Sequence, residues 1–199
     1  SAGSYQSGSG ETACRTCPRG SHCAEGASAA LPCEGGRFGA TDGLASNDEC
    51  TLCPPGSACT TGATQPKACN PGSAANTSGL GSCVPCSPGE FQNETNATAC
   101  KPCSIASYCA GEGSSAPTPC PGGTWSGATG LMAEAQCTKV VKGQWAPTGS
   151  SAPEPCPTSG FYCPGYDAVA AHLAQNITPP GSKPILIDSG AAREERNVS

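Results

Sequence analysis

The sequence predicts small disulfide-rich repeats: an elongated rod of short β-ribbons and turns with little helix. Three observations carry that prediction. Only 19 of the 199 residues are Leu, Ile, Val or Phe, and chains below about a fifth in such residues do not bury enough apolar surface to fold unaided. Gly and Pro supply 27 and 20 residues, which favours turns over long helices. The missing restraint is visible in 17 cysteines, since a cross-link closing a short loop stabilises by roughly 2–3 kcal/mol.

Cysteine in this quantity belongs to an oxidising compartment, so the expected location is extracellular or the cell surface. The asparagines agree. Of seven Asn, five (Asn76, Asn93, Asn96, Asn176 and Asn197) begin an N-x-Ser/Thr sequon, and N-linked glycans are expected on them. A formal charge of −5 with no Lys/Arg cluster argues against nucleic acid and anionic membranes as partners. No stretch has the length of an apolar membrane span. Neither an initiator Met nor an apolar leader is present, so the chain reads as a mature product or a piece of something longer.

The elements follow from the cysteine spacing. CxxC pairs begin at Cys14, Cys50, Cys83 and Cys100. Between them lie two kinds of segment. The tight kind is "CPRGSHC" from Cys17, "CPPGSAC" from Cys53, "CSIASYC" from Cys103 and "CPTSGFYC" from Cys156. The wide kind runs from Cys33 to Cys50, Cys69 to Cys83, Cys86 to Cys100 and Cys120 to Cys137. Three wide segments open with a Gly three residues after the Cys and an aromatic two further on: "CEGGRF", "CSPGEF" and "CPGGTW". Every segment holds two cysteines, so the expected disulfides are Cys17–Cys23, Cys33–Cys50, Cys53–Cys59, Cys69–Cys83, Cys86–Cys100, Cys103–Cys109, Cys120–Cys137 and Cys156–Cys163.

Two features depart from this arithmetic. "CTKVVKGQWAPTGSSAPEPC" ends like "CAGEGSSAPTPC", yet Val140 and Ala146 stand where Cys103 and Cys109 stand in the earlier copy. Losing one member of a pair would leave a free thiol, whereas losing both leaves only a looser turn. Residues 140–146 therefore read as a tight segment without its disulfide, with Trp145 packing over the turn; the alternative is an irregular insertion. Cys14 is left unpaired. "SAGSYQSGSGETAC" resembles a wide segment without its first cysteine, with Gly3 and Tyr5 at the Gly and aromatic positions. The partner of Cys14 is then expected just upstream of Ser1; an intermolecular bridge or a free thiol are the alternatives.

This gives three stretches: tandem cysteine-rich repeats over 1–137, a degenerate repeat with the last disulfide loop over 138–163, and a cysteine-free tail over 164–199. In the tail, "YDAVAAHLAQ" predicts a short helix with Asp167 as N-cap. "KPILIDSG" predicts a strand with Ile185 and Ile187 alternating. A lone strand needs a partner, either the last disulfide segment of its own chain or the edge of a neighbouring molecule.

The C-x-x-G-x-aromatic opening and the linking CxxC resemble the ephrin-receptor-like cysteine-rich repeat, a relative of growth-factor-receptor and tumour-necrosis-factor-receptor modules. The resemblance spans roughly residues 1–165. It departs at Val140 and Ala146, at Ala106 in place of a Gly, and at "CNPGSA", which lacks the aromatic. It implies elongated rods of small turns and two-stranded ribbons, found in receptor ectodomains and in long surface and fibre proteins of protists and algae.

Chemistry is sparse. "CVPC" and "CKPC" approach zinc-ribbon spacing, but the sequons and the pairing arithmetic count against metal. His22 and His172 are not accompanied by a nucleophile elbow, metalloprotease helix or phosphate loop. Neither catalytic residues nor a cofactor are expected, and the chain does not read as an enzyme. The expected function is structural: an extracellular glycoprotein segment that assembles with itself, or with other extracellular fibre proteins, into a filament or flagellar hair. Contacts would come from Trp125, Trp145, Phe161 and Tyr162, with Ile185 and Ile187 bridging molecules. The alternative is a ligand-binding or adhesive receptor ectodomain, in which the same aromatics mark an epitope.

Overall fold

The computed structural model describes residues 1–8, 12–157 and 161–165, and the backbone of Ile185–Leu186. The expected helix near Asp167, together with His172, Asn176, Ile187 and Asn197, lies outside the described residues. Those described form ten two-stranded ribbons, each strand two residues long, and two single 3₁₀ turns. The fold class is small disulfide-rich β-ribbon repeats.

The chain divides into two compact units, one of Ser1–Ser87, Gln92–Lys101 and Glu112–Ser115, the other of Pro88–Phe91, Pro102–Gly111 and Ala116–Ser199. In the first unit Ser4–Tyr5 pairs with Arg15–Thr16, Ser21–His22 with Leu31–Pro32, and Arg37–Phe38 with Thr51–Leu52. Ser57–Ala58 then pairs with Lys67–Ala68, and Ser73–Ala74 with Val84–Pro85. In the second, Ser107–Tyr108 pairs with Thr118–Pro119, Thr124–Trp125 with Thr138–Lys139, and Gln144–Trp145 with Glu154–Pro155. Phe161–Tyr162 pairs there with Ile185–Leu186 of the same chain.

One local design makes most of these ribbons. The outgoing strand follows a residue of positive φ: Gly3, Gly20, Gly36, Gly56 and Gly72 in the first unit, Gly89, Ala106, Gly123 and Gly143 in the second. That backbone region is open to Gly at no steric cost. The return strand ends at a residue whose N–H donates back to the carbonyl of the same glycine. Cys33 donates to Gly20 and Cys53 to Gly36; Cys103 donates to Gly89, Cys120 to Ala106 and Val140 to Gly123. One such glycine, its ribbon and the closing residue make a module.

A ribbon this short is unstable in isolation, and three devices hold it. The first is covalent. Eight cystines join Cys17–Cys23, Cys33–Cys50, Cys53–Cys59, Cys69–Cys83, Cys86–Cys100, Cys103–Cys109, Cys120–Cys137 and Cys156–Cys163. Cys14 is free and exposed. The wide loops have sequence separations of 14 or 17, and the three extra residues of the longer form make the 3₁₀ turns Asn47–Glu49 and Glu134–Gln136. Each turn is tied by its own last side chain: Glu49 Oε2 accepts the Ala45 N–H at 2.7 Å, and Gln136 Oε1 accepts the Ala133 N–H at 3.1 Å.

The second device links each module to the next. The module glycine donates its N–H to a carbonyl three residues beyond the next module glycine: Gly20 to Gly39, Gly36 to Cys59 and Gly56 to Ala75 in the first unit, Gly89 to Cys109, Ala106 to Ser126 and Gly123 to Ala146 in the second. Parallel bridges extend the same edge, His22 with Leu44 and Phe38 with Ala63, then Tyr108 with Leu131 and Trp125 with Ser150. A module's open edge is thus satisfied by its successor, the arrangement of quasi-one-dimensional repeats.

The third device reaches two modules on. A Cβ added to Gly3, Gly20, Gly36, Gly56 or Gly72 would lie under 3.0 Å from the carbonyl oxygen of Gly43, Gly62, Gly79, Asn96 or Gly113, respectively. Gly89 stands in the same relation to Gly130 in the second unit. All of these second residues also have positive φ. Backbone packs on backbone at a distance that excludes any side chain.

What is buried follows from this. The fully buried side chains of largest volume are all cysteines, among them Cys17, Cys33, Cys53, Cys69, Cys103 and Cys120. Sulfur takes the place of an aliphatic core. Val140 and Ala146, 3 % and 0 % exposed, hold cysteine places in the ladder. The Val140 N–H donates to Gly123 as that of Cys103 donates to Gly89, and the Ala146 carbonyl accepts from Gly123 as that of Cys109 accepts from Gly89. The module is intact, and only its cystine is missing.

Candidate functional site

Aromatic side chains recur at one place in the module, two residues after the module glycine. Tyr5, His22 and Phe38 hold it in the first unit, Tyr108, Trp125 and Trp145 in the second, and all are half-buried. The small Ala58 and Ala74 fill it elsewhere and are buried. The reason is packing. Tyr108 lies against the cluster of Cys120, Leu131 and Cys137 belonging to the following module, and its O–H donates to Glu134 Oε2 at 3.4 Å. Burial first, then the Glu134 carboxylate and this bond, raise the Tyr108 phenol above its ordinary value. His22 holds the same place, with its Nδ1 buried and without a hydrogen-bond partner.

Trp125 stands opposite Thr138 and Trp145 opposite Glu154 in their ribbons, and both are half-buried. Phe161 is 37 % exposed and Tyr162 half-buried. The Ile185 strand lies against Tyr162 of its own chain, which takes the first of the two pairings left open by the sequence.

Sequence reasoning missed the apolar residues that are most exposed. Leu31, Leu52 and Val84 in the first unit are 57 %, 47 % and 55 % exposed, and Ile105, Met132 and Val141 in the second are 50 %, 56 % and 63 % exposed. Leu31, Leu52 and Val84 sit on return strands, whose residues face solvent in the described ribbons. Their signal was available as an apolar residue one or two places before a cysteine.

The return strands also show how the open edge is protected. Because Cys33 N–H points inward to Gly20, strand alternation turns the backbone N of the preceding residue outward. That residue is Pro32, and Pro85, Pro102, Pro119 and Pro155 hold the same place. Proline has no N–H, so at these positions the edge offers no donor to an added strand.

Asn76, Asn93 and Asn96 are exposed. Lys101 Nζ lies 3.0 Å from Glu94 Oε1 and 3.4 Å from Asn93 Oδ1. Asn96 has a structural task as well: with φ of 59° it occupies the place that Gly79 and Gly113 hold in neighbouring modules. Its Oδ1 accepts the Ser57 hydroxyl at 3.1 Å. Asn tolerates the left-handed region better than other side chains.

Beside Trp125 lies an open hollow of about 500 Å³, lined by uncharged residues including Leu131, Gln136 and Thr138. Among the described residues no group of three or more His, Cys, Asp or Glu is placed to hold a metal ion, and no helix is long and apolar enough to cross a membrane. No protein-family model matches the chain, and no curated protein is similar enough to count as a relative.

Proposed function

We propose that this chain is a structural segment of an extracellular glycoprotein, built of ephrin-receptor-like repeats, that assembles with itself or with other extracellular fibre proteins into a filament such as a flagellar or surface hair. The observation that carries this reading is the ladder in which each module glycine donates to the next module. Such a chain grows by repetition of one unit, and nothing in the pattern limits its length. The eight cystines support maturation in an oxidising compartment, and glycans on Asn76 and Asn93 would supply the solubility that its few charges do not.

With proline on several of the return strands, Pro32 and Pro85 in the first unit, assembly would use side chains in place of added strands there, and the exposed Leu31, Leu52 and Val84 are the candidates in the first unit. A second reading, a ligand-binding or adhesive ectodomain, draws on the hollow beside Trp125. Negative-stain images of native material separate the two. Periodic filaments support the structural role; separate particles at every concentration overturn it in favour of the ectodomain.

A further inference from the structure

The module without a cystine lies in the longest stretch between two successive cystine loops: Cys120–Cys137 ends before it and Cys156–Cys163 begins after it. Its turn is exposed. Val141 is 63 % exposed, Lys142 and Gly143 are exposed, and the turn is closed by a Gln144 N–H donating to the Val141 carbonyl at 3.0 Å. The first unit contains its counterpart. Arg19 follows Cys17 by two residues as Lys142 follows Val140, is likewise exposed, and is likewise followed by the module glycine. The difference is that Cys17–Cys23 closes the loop around Arg19, that Gly20 is buried where Gly143 is exposed, and that the Arg19 N–H is held by Asp42 Oδ1 at 3.0 Å.

We propose that this module opens locally and is a cleavage site for an endopeptidase specific for basic residues, which cuts after Lys142. A protease needs several residues in extended form, so a tight turn must open before it is cut. A cystine across the turn forbids that opening; here Val140 and Ala146 are held by packing and by backbone hydrogen bonds with Gly123, and Gly143 by backbone bonds with Cys163 and Cys156, none of them covalent. Hydrolysis adds water across the Lys142–Gly143 amide, leaving a carboxylate on Lys142 and an amine on Gly143. Because no cystine spans this bond, the two products separate without reduction. A cut after Arg19 leaves its products joined through Cys17–Cys23. The Lys139–Val140 bond is less suited, lying in a ribbon strand beside a buried side chain. The inference does not depend on filament formation.

The test is limited trypsin digestion of the intact oxidised chain, followed by mass measurement with and without reductant. Among sites between Cys14 and Cys156, the first cut is expected after Lys142, about tenfold or more faster than after Arg19. Products of residues 1–142 and 143 onward should part in non-reducing gels. The Val140→Cys, Ala146→Cys double variant, confirmed by loss of both thiols to alkylation, should slow that cut about tenfold or more. Amide exchange provides an independent reading: the Val140 N–H should exchange faster than its counterparts at Cys103 and Cys120. A first cut at any other of these sites, Arg15, Arg19, Arg37, Lys67, Lys101 or Lys139, or equal exchange at Val140 and Cys103, overturns the proposal. If the double variant fails to close its disulfide, the exchange comparison decides.

Discussion

The Cβ that Gly89 lacks would stand 2.6 Å from the carbonyl oxygen of Gly130, 41 residues further along the chain. Gly111 also has positive φ, of 79°, but nothing lies within 4 Å of its added Cβ. Gly111→Ala should therefore cost about 1–2 kcal/mol, the conformational term alone. Gly89→Ala should cost more, because backbone must move and the bond from Cys103 N–H to the Gly89 carbonyl is strained with it. Denaturant titration of both variants with cystines intact measures the difference. Equal costs would show that the close approach is not required.

Ala106 occupies a module-glycine place with φ of 63° and is 7 % exposed. An L side chain is strained there, so Ala106→Gly should raise stability, by about 1 kcal/mol. The same titration checks it. A lower midpoint in the variant would mean that the methyl group contributes packing that outweighs its strain.

Asn96 serves the turn independently of any glycan. Asn96→Gly should leave stability nearly unchanged, losing the Ser57 hydrogen bond but gaining backbone freedom. Asn96→Val should lower it by about 1–2 kcal/mol, since a branched side chain suits the left-handed region poorly. Thermal unfolding of non-glycosylated material distinguishes these outcomes from the effect of a lost sugar. Equal stability of the two variants would contradict the assignment.

Tyr108 should ionise above 10.0, its ordinary value, because burial and the Glu134 carboxylate favour the neutral phenol. A raised folded value means that the contribution is present below pH 10 and is lost as pH rises through the folded value. Glu134→Gln should move the titration downward, towards the ordinary value. Ring-labelled tyrosine followed by NMR reads it directly, and an unmoved titration would show that Glu134 does not act on the phenol.

Much of this was legible because the devices are local. A cystine closing six residues needs a turn at its middle, and the glycine of "CPRGSHC" and "CPPGSAC" announces one, so short ribbons follow from spacing. The equivalence of Val140 and Ala146 to cysteines could be read the same way. The contact of Gly89 with Gly130 could not, since it joins backbone atoms across 41 residues and leaves no side-chain signature beyond one more glycine in a glycine-rich chain. The places of Trp125 and Trp145 were visible as aromatics, but the packing of Tyr108 on Cys120, Leu131 and Cys137 depends on the following module's loop, which spacing alone does not place. The prolines of the outer edge became meaningful only once the Cys33 N–H was seen to point inward.

The central claim is that cystines between sequence neighbours replace an aliphatic core. The direct measurement is amide hydrogen exchange of the oxidised chain before and after full reduction and alkylation at neutral pH. Protection at Cys33, Cys53, Cys69, Cys103 and Cys120, whose N–H groups close the ribbons, should be lost together on reduction. Protection that persisted in the alkylated chain would contradict the account.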